Sequence, residues 1–212
     1  MQKQNTKEKI LLSALKLFST KGYDGTSVRD LAREVGIRES SIYKHFKNKQ
    51  AIFDSILTYM DSYYNEKMQT LDMPLGEFKK IAGDYSEGSI DFLYQISSAL
   101  FLMRFKDEIE IQFRRMLTIE QFSNPKIKAI YQKYFISDIL SYQTALFTEM
   151  IKQGRFVECD PKIMALQFYS PIYTLQNLYE GQFDKEEEVL SILKDHIRQF
   201  DLRYSKKGEG KR

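Results

Sequence analysis

The sequence contains very few of the residues from which catalytic centres and disulfide frameworks are built. Its 212 residues include one cysteine, two histidines and no tryptophan. A single cysteine, Cys159, excludes an internal disulfide and a cysteine-rich metal cluster, and it is typical of a reducing cytoplasm. His45 and His196 are far apart in the sequence. No glycine-rich phosphate loop, HExxH or GxSxG pattern is present. We therefore expect a cytoplasmic protein that is not an enzyme and that uses no metal and no cofactor.

Long apolar runs are also missing. The longest, residues 99–103, is far shorter than the roughly 20 residues needed to span a membrane. The N-terminal stretch MQKQNTKEK is polar and leads into no apolar signal region. We expect no membrane association.

The net positive charge is small, and it is unevenly distributed along the chain. The net charge is +3, yet residues 1–50 hold 11 lysines and arginines against 5 aspartates and glutamates. Residues 51–212 hold 21 lysines and arginines against 24 aspartates and glutamates. A basic N-terminal region on a mildly acidic body favours nucleic acid at one end of the molecule, although charge alone also fits an ordinary solvated surface.

The stretch from Thr26 to Asn48, TSVRDLAREVGIRESSIYKHFKN, predicts two short helices joined by a glycine turn. Ser27 and Asp30 have the spacing of a capping box, and apolar residues follow at helical spacing. Gly36 stands where a helix can end in the left-handed conformation. A second helix is predicted at about 39–46, with Ile42 and Phe46 inward. This is the pattern of a helix-turn-helix DNA-binding motif.

The outward side of this second helix is polar and basic. Serines allow close approach to DNA, and Lys44 can reach a guanine edge in the major groove. Asn48 is a good N-cap residue, so Lys49 beside a helix N-terminus predicts a phosphate contact.

Residues 6–60 resemble the DNA-binding domain of the TetR/AcrR family of transcriptional regulators. The resemblance rests on an ordered series of positions: Ile10, Leu11, Ala14, Leu17, Phe18, Lys21, Gly22, Tyr23, Thr26, Ser27, Val28, Leu31, Ala32, Val35, Gly36, Ile37, Ser41, Ile42, Tyr43, His45, Phe46, Asn48, Lys49, Ile52 and Phe53. It implies an all-α fold: a three-helix DNA-binding domain at residues 1–50, a linking helix at about 48–71, and a helical effector-binding and dimerisation domain at 74–204.

The resemblance also implies which residues meet DNA. Tyr43, His45 and Lys49 match phosphate contacts, and Thr26 and Ser27 match backbone contacts at a helix start. Base-reading positions are matched by Glu39, Ser40 and Lys44, with Ser41 on the same outer side. The sequence departs from the family pattern at Arg38, where a serine or threonine N-cap is usual. We expect Arg38 to contact a phosphate or a base.

Beyond Pro74, helical spacing predicts helices at about 75–84, 88–105, 108–122, 125–153 (with a kink), 160–181 and 186–203. The tail at 205–212 is of low complexity and is expected to be disordered.

The body is rich in Phe, Tyr and Met, which are typical of a cavity for a mostly apolar small molecule, or simply of a well-filled core. The candidate effector-pocket residues are Phe92, Phe101, Met103, Phe105, Phe113, Met116, Phe122, Tyr131, Tyr134, Phe135, Tyr169 and Tyr173.

The last two predicted helices have apolar faces that are wide for a monomer core and favour a four-helix bundle with a second copy. The candidate dimer-interface residues are Ile163, Phe168, Ile172, Leu175, Leu193, Ile197 and Phe200. The alternative is that both helices only close the core.

The sequence thus predicts a homodimeric regulator that binds palindromic double-stranded DNA and is released by a small effector. Repression rather than activation is implied by the resemblance alone. The alternative function is a helix-turn-helix protein with no small-molecule effector, acting as a constitutive regulator or recruiting a partner.

Overall fold

The computed structural model describes residues 5–70 and 90–206, except for the side chain of Phe92. Helices make up most of these ranges: α1 (Thr6–Lys21), α2 (Val28–Val35), α3 (Glu39–Tyr43), α4 (Lys49–Thr70), α5 (Ile90–Lys106), α6 (Glu108–Glu120), α7 (Pro125–Gln132), α8 (Asp138–Lys152), α9 (Pro161–Leu178) and α10 (Glu186–Tyr204). The described residues contain no strand beyond an isolated bridge between Phe156 and Ser205. The all-α fold is confirmed.

The helix boundaries follow the predicted ones closely. The predicted kink within 125–153 is a π-helical turn, Lys133–Ser137, between α7 and α8. The predicted helix at 75–84 and the boundary at Pro74 lie outside the described residues. Lys206 N–H donates to the carbonyl of Arg155 (2.7 Å), so the chain is still bonded to the body at residues where we expected a tail.

The chain forms two compact units that do not follow its linear order. Among the described residues, the first unit contains 5–70 and 108–132, and the second contains 90–107 and 133–206. Residues 108–132 were predicted to belong to the C-terminal domain, whereas α6 packs along α1. Phe113, Met116 and Leu117 of α6 are fully buried, and the Phe113 ring meets the Tyr64 ring of α4 edge to face. Burial of these apolar side chains explains why the segment belongs to the first unit.

The second unit is organised around four phenylalanine rings. Phe147 of α8 lies 5.5 Å from Phe168, 5.3 Å from Phe200 and 5.8 Å from Phe156, measured between ring centroids. Such tilted and edge-to-face pairs are favourable beyond the area they bury. These rings fix α8, α9 and α10 to one another.

Candidate nucleic-acid interface

The start of α2 is fixed by a complete capping box. Asp30 N–H donates to Ser27 Oγ, and Ser27 N–H donates to Asp30 Oδ2, each at 3.1 Å. The Ser27 hydroxyl also donates to Asp30 Oδ2, and this bond lowers the pKa of the Asp30 carboxyl below its usual value. The hydroxyl and the carboxylate therefore satisfy the first free amides of α2, as the sequence predicted.

The turn between α2 and α3 depends on Gly36. Its φ of 76° and ψ of 34° lie in the left-handed region. The N–H groups of Gly36 and Ile37 both donate to the carbonyl of Ala32, at 3.0 and 2.9 Å. This termination leaves only three residues between the end of α2 and the start of α3.

The third helix is shorter than predicted and ends at Tyr43 rather than near Phe46. The N–H groups of His45 and Phe46 both donate to the carbonyl of Ile42 at 2.9 Å, so the helical ladder stops there. Ile42 and Phe46 are buried, as predicted. Arg38 is the N-cap residue, and its side chain makes no capping hydrogen bond.

The predicted outer face of this helix is on the surface. The exposed residues are Arg38, Glu39, Ser40, Tyr43, Lys44 and His45, together with Ser27 at the start of α2. Ser41 is half-buried. Lys47, which was not among the predicted DNA contacts, is exposed directly before the Asn48 cap of α4. The exposed groups combine the donors that phosphates require with the short polar side chains that base edges require.

Thr26 and Lys49 are placed differently from the expectation. Thr26 is 1% exposed, and its hydroxyl donates to the carbonyl of Gly22 (2.9 Å), so it is not available to a phosphate. Lys49 is half-buried, and its Nζ donates to the carbonyls of Tyr23 (2.6 Å) and Thr26 (2.9 Å). The ammonium therefore holds the turn between α1 and α2.

The predicted effector-pocket residues are divided between the two units. Phe113, Met116, Phe122 and Tyr131 belong to the first unit, and Phe122 is 86% exposed, so it lines no enclosed cavity. The other predicted pocket residues with described side chains belong to the second unit: Phe101, Met103, Phe105, Tyr134, Phe135, Tyr169 and Tyr173.

Several of these second-unit residues meet at the π-helical turn. The Tyr169 hydroxyl donates to the carbonyl of Phe135 (2.8 Å), and the Tyr169 and Tyr173 rings are 6.0 Å apart. The Arg104 guanidinium lies 5.4 Å from the centre of the Phe135 ring. A separate cleft of about 260 Å³ lies between α5 and α10, and its lining includes Asp91, Lys194, Asp195, Arg198 and Asp201. That cleft is charged and contains none of the predicted aromatic residues.

Six of the seven candidate dimer-interface residues are buried within one chain. Phe168, Ile172, Leu175, Leu193, Ile197 and Phe200 belong to the core of the second unit. Ile163 is 50% exposed and remains on the surface. The exposed apolar residues of α9 and α10 are Ile163, Leu166, Leu178, Ile192 and Leu202. An interface on these helices would have to use this second set.

Taken with the exposed polar face of α3, the packing of α1 to α3 defines a helix-turn-helix DNA-binding regulator. No helix within residues 5–70 and 90–206 has the length and apolarity to cross a membrane.

Comparison with known proteins gives the family. Residues 10–56 match the family described as bacterial regulatory proteins, tetR family. The chain is 31% identical over 196 residues to the biofilm operon icaADBC HTH-type negative transcriptional regulator IcaR of Staphylococcus aureus, covering 90% of this chain and 94% of that protein. The protein belongs to the TetR family of transcriptional regulators.

Two solved structures share the fold along most of the chain. SmeT, the repressor of the Stenotrophomonas maltophilia multidrug efflux pump SmeDEF, has a TM-score of 0.61 at 20% identity, covering 97% of this chain and 93% of its own. AibR in complex with isovaleryl coenzyme A and operator DNA has a TM-score of 0.63 at 15% identity, covering 90% of this chain and 96% of its own.

Proposed function

We propose that this protein is a homodimeric repressor that binds a palindromic operator through α3. The observation that carries the proposal is the exposed face of α3, with its hydroxyl, basic and aromatic side chains above the buried Ile42 and Phe46. The similarity to IcaR, a negative regulator, supports repression. A five-residue recognition helix spans few base pairs, so affinity and specificity call for two half-sites and hence two copies of the chain.

The residues proposed to meet DNA are Ser27 and the exposed face of α3. Tyr43, His45 and the free amides at the start of α4 would contact phosphates and fix the register. Glu39, Ser40 and Lys44 would read base edges, and Ser41 would allow close approach. Arg38 is free of a capping role and would reach a phosphate or a base.

We propose further that a small, mostly apolar effector binds in the second unit and lowers operator affinity. SmeT has been solved with triclosan, and AibR with isovaleryl coenzyme A, so two proteins of this fold hold ligands with apolar parts. At the π-helical turn the half-buried Tyr173 and Arg104 adjoin the buried Tyr169 and Phe135, which places an aromatic ring and a guanidinium at the edge of this cluster. A ligand that prefers the conformation with the lower operator affinity would shift the population towards it.

A second candidate is a regulator without a small-molecule effector. It is favoured by the burial of Phe101, Phe105 and Phe135 and by the presence of four predicted pocket residues in the first unit. The thermal unfolding midpoint, measured with apolar compounds, separates the two functions. A bound ligand stabilises the protein by about 2.7 kcal/mol at a hundredfold excess over Kd.

The operator proposal is tested by selecting random duplex DNA with the purified protein and sequencing the DNA that the protein retains. Enrichment of an inverted repeat is expected, with a half-site spacing near one or more helical turns. Enrichment of an unrepeated site would contradict the dimer. No enrichment by a folded, helical protein would contradict sequence-specific binding by the protein alone.

A further inference from the structure

The turn between α1 and α2 directly precedes the helix-turn-helix motif. Hydrogen bonds to its own backbone carbonyls fix its conformation. Gly22, with φ of 74°, donates its N–H to the carbonyl of Phe18 (3.1 Å). Thr26 N–H donates to the carbonyl of Tyr23 (3.2 Å), and the Thr26 hydroxyl donates to the carbonyl of Gly22 (2.9 Å). Two residues later Val28 begins α2. The position of this turn therefore sets where α2 starts.

Both backbone polar groups of Tyr23 are bonded to charged side chains from other helices. Its N–H donates to Glu120 Oε1 of α6 (2.7 Å), across 97 positions of sequence. Its carbonyl accepts from Lys49 Nζ of α4 (2.6 Å). Bonds of this kind, between a peptide group and an ionised side chain, are roughly twice as strong as neutral ones.

The Tyr23 side chain is fixed as well. Its ring lies 5.5 Å from the Phe18 ring and 5.5 Å from the Phe53 ring, and Lys49 Nζ lies 4.1 Å from its centre. The end of α6 also approaches the turn closely. A Cβ atom added at Gly22 would lie 3.3 Å from Glu120 Oε1. The glycine thus allows the carboxylate to reach the peptide of Tyr23.

We propose that Glu120 is a positioning residue for DNA recognition: its carboxylate fixes the Tyr23 peptide and thereby the orientation of α2 and α3. Glu120 touches no DNA in this role and acts through the turn. The inference rests on the proposed operator binding. It makes the last turn of α6, a helix far from the family motif in sequence, a determinant of operator affinity.

Four variants separate this role from a general charge effect. Glu120→Gln keeps an oxygen acceptor of the same reach, whereas Glu120→Asp keeps the charge on a side chain one methylene shorter. Glu120→Ala removes both. Glu108→Ala is the matched control, because Glu108 is an exposed carboxylate at the other end of α6 that bonds within its own helix to Gln112.

Two measurements are made on each variant: operator affinity, and hydrogen–deuterium exchange of the peptide containing Tyr23. For Glu120→Ala and Glu120→Asp we expect about a tenfold loss of affinity, as for a lost hydrogen bond to a charged group, with faster exchange. Glu120→Gln, which still accepts the bond but without the negative charge, should lose less affinity than Glu120→Asp, and Glu108→Ala should stay close to wild type in both measurements. Equal affinities for Glu120→Asp and Glu108→Ala would overturn the proposal, as would a Glu120→Gln variant as weak as Glu120→Asp.

The exchange measurement needs no DNA, so it remains decisive where operator binding fails. Wild-type protein that binds no duplex would contradict the proposed function. Unchanged exchange at Tyr23 in Glu120→Ala or Glu120→Asp would contradict the role of Glu120 alone.

Discussion

The ammonium group of Lys49 lies 2.6 Å from the carbonyl oxygen of Tyr23 and 4.1 Å from the centre of the same residue's ring. A lysine held in this way is expected to act on the turn between α1 and α2 rather than on a phosphate. We expect Lys49→Ala to weaken operator binding through the turn, while the slope of log affinity against log salt stays at its wild-type value. A direct phosphate contact would instead reduce that slope by about 0.9. Binding titrations over a series of salt concentrations distinguish the two, with the exposed Lys128 of α7 changed to Ala as a control.

Lys44 is exposed on α3, and we expect it to act on sequence preference. Lys44→Ala should relax the base preference at one position of each half-site, with a loss of discrimination of about 1–3 kcal/mol there. Repeating the selection from random DNA with this variant measures the change. A uniform loss across all positions would mean that Lys44 contacts the phosphate backbone.

Leu166 is 48% exposed on α9 and is expected to lie in the dimer interface. Leu166→Glu should raise the monomer fraction in sedimentation velocity and weaken operator binding, because a carboxylate is costly to bury without a partner. Phe122→Glu, which adds the same charge at a residue that is 86% exposed, should leave the dimer intact. If the two variants sediment alike, α9 does not form the interface.

Phe147 is fully buried among the rings of Phe156, Phe168 and Phe200. Phe147→Ala should lower the free energy of unfolding by about 3–5 kcal/mol, because it removes the ring and leaves a cavity. Phe122→Ala, at the exposed position, should change it by less than about 0.5 kcal/mol. Urea unfolding measures both, and a large loss for Phe122 would show that this ring is buried in solution.

We expect His196 to couple the stability of the second unit to pH. Burial lowers the pKa of its imidazole below 6.5, while Nε2 lies 2.8 Å from the carbonyl of Phe168. The unfolded chain then binds a proton that the folded chain excludes, so the stability contributed by neutral His196 is complete above pH 6.5 and falls as the pH drops below it. Urea unfolding at pH 7.5 and 5.5 should show a smaller pH difference for His196→Gln than for the wild type. An unchanged difference would rule out this histidine as its source.

Local signals made the recognition motif predictable. Ser27 and Asp30 are three residues apart, and Gly36 adjoins the helix that it ends, so neighbouring residues fix both features. The end of α3 was harder to predict from the sequence, because it depends on two amides sharing the carbonyl of Ile42.

Features that depend on distant partners gave no such signal. A lysine beside a helix start suits a phosphate or a peptide carbonyl equally well, and only the folded structure brings Lys49 Nζ to the carbonyl of Tyr23. Glu120 gave no sequence signal at all, since its partner is 97 positions away. Helical spacing in α9 and α10 identified apolar faces, but it could not tell Phe168, in the core, from Leu166, on the surface.

The first unit is assembled from two separate stretches of chain, and this limits how the gene can be divided. A fragment that stops at residue 72 would leave uncovered the apolar surface of α1 and α4 against which Phe113, Met116 and Leu117 pack. Hybrid regulators made by exchanging N-terminal segments therefore need residues 108–132 from the same parent. For the same reason, substitutions in α1 and in α6 should be correlated among related proteins. The family match at residues 10–56 covers most of α1 but none of α6.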